Sequence, residues 1–195
     1  VERQRLFISL DLPQAVKEAA GEVQRRLQET QASRNVRWDI SWTKPEGMHL
    51  TLKFLGEVEA RQAQEVREVL AEAGRPFRPI TIQVEELGSF PTMQTPRVIW
   101  LGIKEPSGEL IRLQKRVDQV LAPLGFPPEA RDFHPHLTLG RVKSPKGREV
   151  LVQALQDRKA VCLGEWRLEE LDLLRSVLQP GGAVYTKLWM MKAEA

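Results

Sequence analysis

His49-Leu50-Thr51-Leu52 recurs, residue for residue, as His136-Leu137-Thr138-Leu139 in the other half of the chain. Each copy sits in an apolar run of alternating character, the pattern of a half-buried strand. Residues two apart in a strand point to one face, so His49 shares a face with Thr51 and His136 with Thr138. The Cα atoms of each pair are then about 6.5–7 Å apart. Leu50, Leu52, Phe54, Leu137 and Leu139 take the opposite face and read as core. The chain has three histidines, and two of them fall in this repeat. A duplicated scaffold preserving its core would repeat the leucines without needing to repeat the histidine. The repeat therefore points to two comparable halves that share a chemical task.

A chain of 195 residues can bury one sizeable core, or two small ones packed together. Hydrophobic content of 42% and charged content of 28% fit a globular protein, not a disordered or fibrous one. No apolar run reaches the length of a membrane span. The charged start, Val1-Glu2-Arg3-Gln4-Arg5, runs into a strand pattern without the apolar region of a secretory signal. Cys162 is the only cysteine, which leaves no intrachain disulfide and no thiolate metal cluster. It reads as a small core residue, and a reducing cytoplasm is the simplest setting. The net charge of +3 and pI near 9.2 suit a phosphate-bearing partner, but the charge is mixed along the chain. Nothing points to an oligomer, so a monomer is expected.

In chain order, Arg5 to Leu12 reads as a buried strand and Pro13 opens a helix, with Asp11 as a candidate cap. Val16, Ala19, Ala20, Val23 and Leu27 give that helix one apolar stripe. Asn35 to Ile40 reads as a short strand anchored by Trp38, and a turn over Thr43–Gly47 leads into the first motif strand, Met48 to Glu57. A helix follows over Arg61–Ala73, stopped by Gly74 and Pro76. Strands are predicted over Ile80–Leu87 and Arg97–Ile103, then a helix over Ser107–Leu121. The second motif strand spans Phe133–Val142 and a helix Arg148–Gln156. One long alternating run covers Trp166–Leu178, and Gln179-Pro180-Gly181-Gly182 signals a hairpin back through Val184–Trp189. Interleaved helices and strands with short turns imply an α+β fold with antiparallel sheets. Two similar lobes, each a small sheet backed by helices, would face each other across a groove. With no linker between them, residues 1–195 read as a single two-lobed domain.

Two imidazoles across a groove can act as general base and general acid, because histidine titrates near neutrality. Each threonine hydroxyl can donate to a non-bridging phosphate oxygen and hold developing charge. The set suits in-line attack of water on a phosphodiester, with one histidine on the water and one on the leaving oxygen. No metal or other cofactor is required. His134 and His136 share a strand face and could ligate a metal with His49, but no matched carboxylate or cysteine spacing completes a site. His134 otherwise flanks the groove or caps the strand ahead of Pro135. There is no phosphate-binding loop of the GxxxxGK[ST] kind.

These residues resemble the two-histidine phosphoesterase superfamily, and within it the RNA 2′,3′-cyclic phosphodiesterase branch, also called the 2′-5′ RNA ligase family. The resemblance rests on Arg5-Leu6-Phe7-Ile8, on Met48 to Gly56 around the first motif, and on Arg97 to Gly102. It continues over Phe133 to Arg141 around the second motif, and to Tyr185. It implies a bilobal, pseudo-symmetric fold with the motifs on facing central strands and helices outside. It also implies opening of a terminal 2′,3′-cyclic phosphate on RNA to a 2′-phosphate, with His49 as proton donor and His136 as acceptor. Thr51 and Thr138 would hold phosphate oxygens.

Arg141 matches the family's arginine after the second motif. A regular strand would turn it away from His136, unless a bulge at Gly140 turns it inward; otherwise it is a surface arginine. Lys53 shares the His49 face by parity, placing it at the groove's outer end or in solvent. Tyr185 and Phe7 could stack on a base, with core packing the better reading for Phe7. The same groove could serve 2′-5′ RNA ligation or 2′-5′ phosphodiester cleavage, or a non-catalytic RNA-binding module.

Overall fold

The computed structural model describes residues 3–73, 77–179 and 182–194. The expected helix stop at Gly74 and Pro76, and the Pro180-Gly181 turn tip, lie outside the described residues. Strand β1 (Arg3–Leu10) leads into helix α1 (Gln14–Ser33), then β2 (Ile40–Trp42) and β3 (Leu50–Glu59). Helix α2 (Ala60–Ala73) precedes β4 (Ile80–Phe90) and β5 (Val98–Lys104), and α3 (Glu109–Leu121) precedes β6 (His136–Val142). Helix α4 (Arg148–Gln156) and strands β7 (Cys162–Leu168), β8 (Glu170–Gln179) and β9 (Gly182–Lys192) complete the chain.

The strands form two antiparallel sheets, ordered β3-β1-β8-β9 and β2-β6-β5-β4-β7. The α+β, two-sheet expectation holds, but the sheets are not the two halves of the sequence. β8 and β9 cross back to join β1 and β3, while β2 joins the sheet of the second motif. The run read as one strand over Trp166–Leu178 breaks at Glu169, so β7 and β8 belong to different sheets. β8 buries Leu171, Asp172, Leu173 and Leu174 in succession, so both its faces are covered and alternation fails there. Strand β3 is an edge strand, not a central one.

Helices α2 and α3 lie against β3, and α1 and α4 lie against β6, β7 and β4. The stripe expected for α1 is buried through Val16, Ala20, Val23 and Leu27. Apolar residues of both sheets and all four helices join one buried cluster. Cys162 is exposed at the start of β7 and not in that core. Trp38 is buried as a loop anchor, donating its indole N–H to the Gly147 carbonyl at 3.2 Å. Among the described residues no helix is long and apolar enough to cross a membrane.

Candidate active site

Each histidine precedes or opens its strand. A short turn over Pro45–Gly47 delivers His49 to β3, and Pro135 delivers His136 to the first position of β6. His49 Nδ1 lies 2.7 Å from the Gly47 carbonyl, and His136 Nδ1 lies 2.7 Å from the His134 carbonyl. A carbonyl only accepts, so Nδ1 carries the proton in both rings and Nε2 is the atom left for chemistry. The repeat thus extends to the orientation of its imidazoles. A groove of about 340 Å³ is lined by His49, Thr51, His136 and Thr138, with Arg141 and Tyr185 at its wall. Neither threonine hydroxyl is engaged by another described residue, so both remain free to donate.

The rings around the two histidines differ. Phe7 lies 4.6 Å from His49, tilted by 33°, and the Tyr185 ring meets His49 edge-on at 5.0 Å. Gly47 permits that approach, since a Cβ there would come within 3.0 Å of the tyrosine ring. Phe7 is buried and forms the floor beneath His49. On the other side, Phe90 lies edge-on to His136 at 5.1 Å. The His134 ring rests against Phe90 and Trp100, and its carbonyl orients His136.

Burial pushes the His49 imidazole down to about 4, opposed by its bond to Gly47 and reinforced by Lys17. Burial also lowers His136, opposed by the His134 carbonyl and helped by the His134 ring and Arg141. The folded chain therefore binds the His49 proton less readily than the unfolded chain does. Stability is complete above the ordinary histidine range and falls as pH drops from 6.5 through about 4. The loss expected from this one group is about 3 kcal/mol. His49→Asn keeps a donor for the Gly47 carbonyl and should flatten that part of the curve, as read by urea unfolding across this range. An unchanged acid loss in the variant would assign the effect elsewhere.

Both motif strands slip by one residue at the last leucine of the motif. Thr51 faces Ser9 and Lys53 faces Ile8, so Leu52 is the extra residue in β3. Thr138 faces Trp100 and Gly140 faces Ile99, so Leu139 is the extra residue in β6. A bulge reverses the alternation beyond it. Arg141 is thereby turned into the groove, beside His136. The same slip corrects two expectations in β3. Phe54 is 55% exposed and lines the groove, whereas Lys53 is 3% exposed and points away from it. Lys53 pairs there with Asp118 of α3 and donates to the Pro127 carbonyl at 2.7 Å.

Phe54 and Arg141 hold the same position in the two copies. Reading the bulge foreseen at Gly140 onto the first copy would have turned Phe54 inward too. Sequence reasoning also missed Arg5, which lines the groove two residues before Phe7 on the same face of β1. A buried polar side chain lies at each bulge. Gln24 of α1 donates its amide to the Leu139 and Thr43 carbonyls, both at 2.7 Å, whereas Lys53, next to the bulge in β3, ties that strand to Asp118 of α3 and to the Pro127 carbonyl.

Among the described residues, Asp11, Glu170 and Asp172 form the one group of metal-ligating side chains close enough to share an ion. His49, His134 and His136 do not converge in that way. Lys17 bonds Asp11 at 2.8 Å, and Lys187 pairs with Glu170 and with Asp172 at 3.0 Å. Burial still pushes the Asp172 carboxyl up to about 6 against the pull of Lys187. Two ammonium groups already occupy this cluster, which reads as an ion-pair network.

The chain is similar to a protein of Methanothermobacter thermautotrophicus named RNA 2′,3′-cyclic phosphodiesterase, 33% identical over 94% of this chain and 96% of that one. A solved protein of Thermus thermophilus superposes with a TM-score of 0.79 at 28% identity, covering 96% of this chain and 97% of the other. LigT of E. coli, solved with 3′-AMP, superposes with a TM-score of 0.71 at 26% identity over the full length of both chains. The model of the 2′-5′ RNA ligase superfamily matches residues 43–179, a span that contains both motifs and both bulges. On that match, and with both histidines in one groove, this chain belongs to the 2′-5′ RNA ligase superfamily.

Proposed function

We propose that this chain hydrolyses the terminal 2′,3′-cyclic phosphate of RNA to a 2′-phosphate, working as one two-lobed unit over residues 1–195. The observation that carries this reading is the pair of imidazoles, each held through Nδ1 and each two residues from a free threonine hydroxyl in one groove. Water attacks phosphorus in line while His136 Nε2 takes its proton. The bond from phosphorus to O3′ breaks, and protonated His49 Nε2 gives its proton to that oxygen. Thr51, Thr138 and the Arg141 guanidinium hold the charge that grows on the non-bridging oxygens. His136 is the less buried of the two, which suits the side where water enters. His49, enclosed by Phe7 and Tyr185, suits the leaving group. The bound phosphate anion raises both imidazole pKa values and so supplies the protonated His49 that the empty groove disfavours.

Relatives named RNA 2′,3′-cyclic phosphodiesterase across most of this chain support the substrate, as does a ribonucleoside 3′-monophosphate bound to LigT. Both histidines and both threonines of the proposed chemistry come from this chain, so the site needs no residue of a second copy, and a lone exposed cysteine fits a reducing cytoplasm. Incubating the protein with a cyclic-phosphate RNA and a chelator should yield a 2′-phosphate and a free 3′-hydroxyl. The two imidazoles supply both proton transfers, so the chelator should not slow the reaction. Folded protein that leaves the ring closed would sink the proposal. Adding an RNA with a 5′-hydroxyl end separates hydrolysis from 2′-5′ joining by product length.

A further inference from the structure

The groove does not end at Arg141. Beyond Arg141 and Tyr185 it opens into a second cavity of about 620 Å³, with Thr43 and Gly47 also common to both. Lys44 and Lys143 line this cavity, and Glu46 is the one carboxylate among its lining residues. Lys143 also borders a third cavity of about 210 Å³, lined by Arg97, Lys146 and Arg148 and by no carboxylate. Local pairing explains the alignment. Arg141 and Lys143 are two apart at the end of β6, and Lys44 follows β2, which pairs with β6 from Ile40 opposite Val142 to Trp42 opposite Gly140. The Val142 N–H donates to the Arg97 carbonyl at 2.9 Å and brings Arg97 alongside.

Among the described residues, none of these cations forms an ion pair, whereas Lys53, Lys104, Arg112 and Lys187 all do. Six unpaired positive side chains line the trough that these three cavities make by sharing Arg141 and Tyr185 between the first two and Lys143 between the last two. They repel one another and favour a ligand with repeated negative charge. A single-stranded polynucleotide has that form, and a positively charged groove that tracks the backbone is how such strands are held. We propose that this trough is the bed for the RNA strand on the 5′ side of the terminal nucleotide, with Lys44 and Lys143 holding its first phosphodiesters. Arg97, Lys146 and Arg148 continue the path. The inference rests on the hydrolase reading and adds to it that the preferred substrate is an oligonucleotide end, not a free nucleoside cyclic phosphate.

The test compares wild type with Lys44→Gln/Lys143→Gln on two substrates, adenosine 2′,3′-cyclic phosphate and an RNA of about eight nucleotides ending in the same group. Neither lysine belongs to the buried core, so the variant should fold as wild type does. For the RNA, KM should rise roughly tenfold and the slope of log affinity against log salt should shrink by about 1.4, at about 0.7 per phosphate released. Turnover of the mononucleotide should not change. An RNA KM and salt slope equal to wild type would overturn the trough while leaving the hydrolase reading intact. Equal losses on both substrates would also overturn it. If wild type opens neither substrate, the hydrolase reading fails by itself. The trough is then judged by fluorescence anisotropy with the same RNA ending in a 2′-phosphate, where unchanged affinity in the variant overturns it. Stronger competition by polyglutamate than by RNA of equal charge would overturn it as well, in favour of an acidic polypeptide.

Discussion

Replacing His136 by alanine is expected to lower kcat on a cyclic-phosphate RNA roughly 10²–10⁴-fold with little change in KM, the range for losing one positioned acid or base. His49→Ala should lose as much, because both protons move in the same transition state. For that reason the double variant should be little slower than the slower single one. The two substitutions should differ in stability. His136 is the more open ring, so truncation there should cost little. His49 rests on Phe7 at 4.6 Å and against Tyr185 at 5.0 Å, and removing it should cost about 1–2 kcal/mol. Single-turnover hydrolysis beside urea unfolding separates the two effects. Were His49→Ala unfolded at working temperature, or were either variant fully active, the paired acid–base reading would fail.

Lys53→Met should be the most destabilising single change predicted for this chain, at about 3–5 kcal/mol. Asp118 is 7% exposed, and its two oxygens take the Lys53 ammonium and, at 2.8 Å, the Gln114 amide. Removing the lysine leaves a buried carboxylate without its counter-charge and leaves the Pro127 carbonyl without its donor. Adding Asp118→Asn should restore more than half of the loss, because the charge leaves with its partner and Gln114 keeps an acceptor. The measurement is equilibrium urea unfolding of both single variants and the double. A stable Lys53→Met protein with a raised KM for RNA would instead put Lys53 on the substrate, where strand parity first places it.

That pair also marks where reading by alternation stops working. The helix stripes and strand patterns were legible because each depends on local periodicity, and α4 falls where its pattern places it, over Arg148–Gln156. The strand bulges were not legible, since an extra residue in one strand is defined only by its partner. Leu52 and Leu139 look like ordinary core leucines until Ser9 and Trp100 set the register across from Thr51 and Thr138. For Lys53 and Phe54 the parity reading therefore came out reversed, whereas glycine at position 140 hinted at the turn that brings Arg141 inward. The break at Glu169 was hidden for a related reason. Both β7 and β8 read as strand, and nothing local says that consecutive strands join different sheets.

What the sequence by itself determined is the chemistry: two copies of a histidine two residues before a threonine, each on a strand face with leucines behind. That much follows from side-chain period and functional-group chemistry, both local properties. The tertiary structure alone decided that the two copies share one groove, through sheets that exchange strands between the halves of the chain. It also set the tautomer of each imidazole by a carbonyl two residues upstream, and the inward turn of Phe54 and Arg141 by matched bulges. The physical reason is that register, burial and charge pairing are relations between distant segments. Lys53 shows it most plainly: Asp118, 65 residues away in the chain, holds it behind the site.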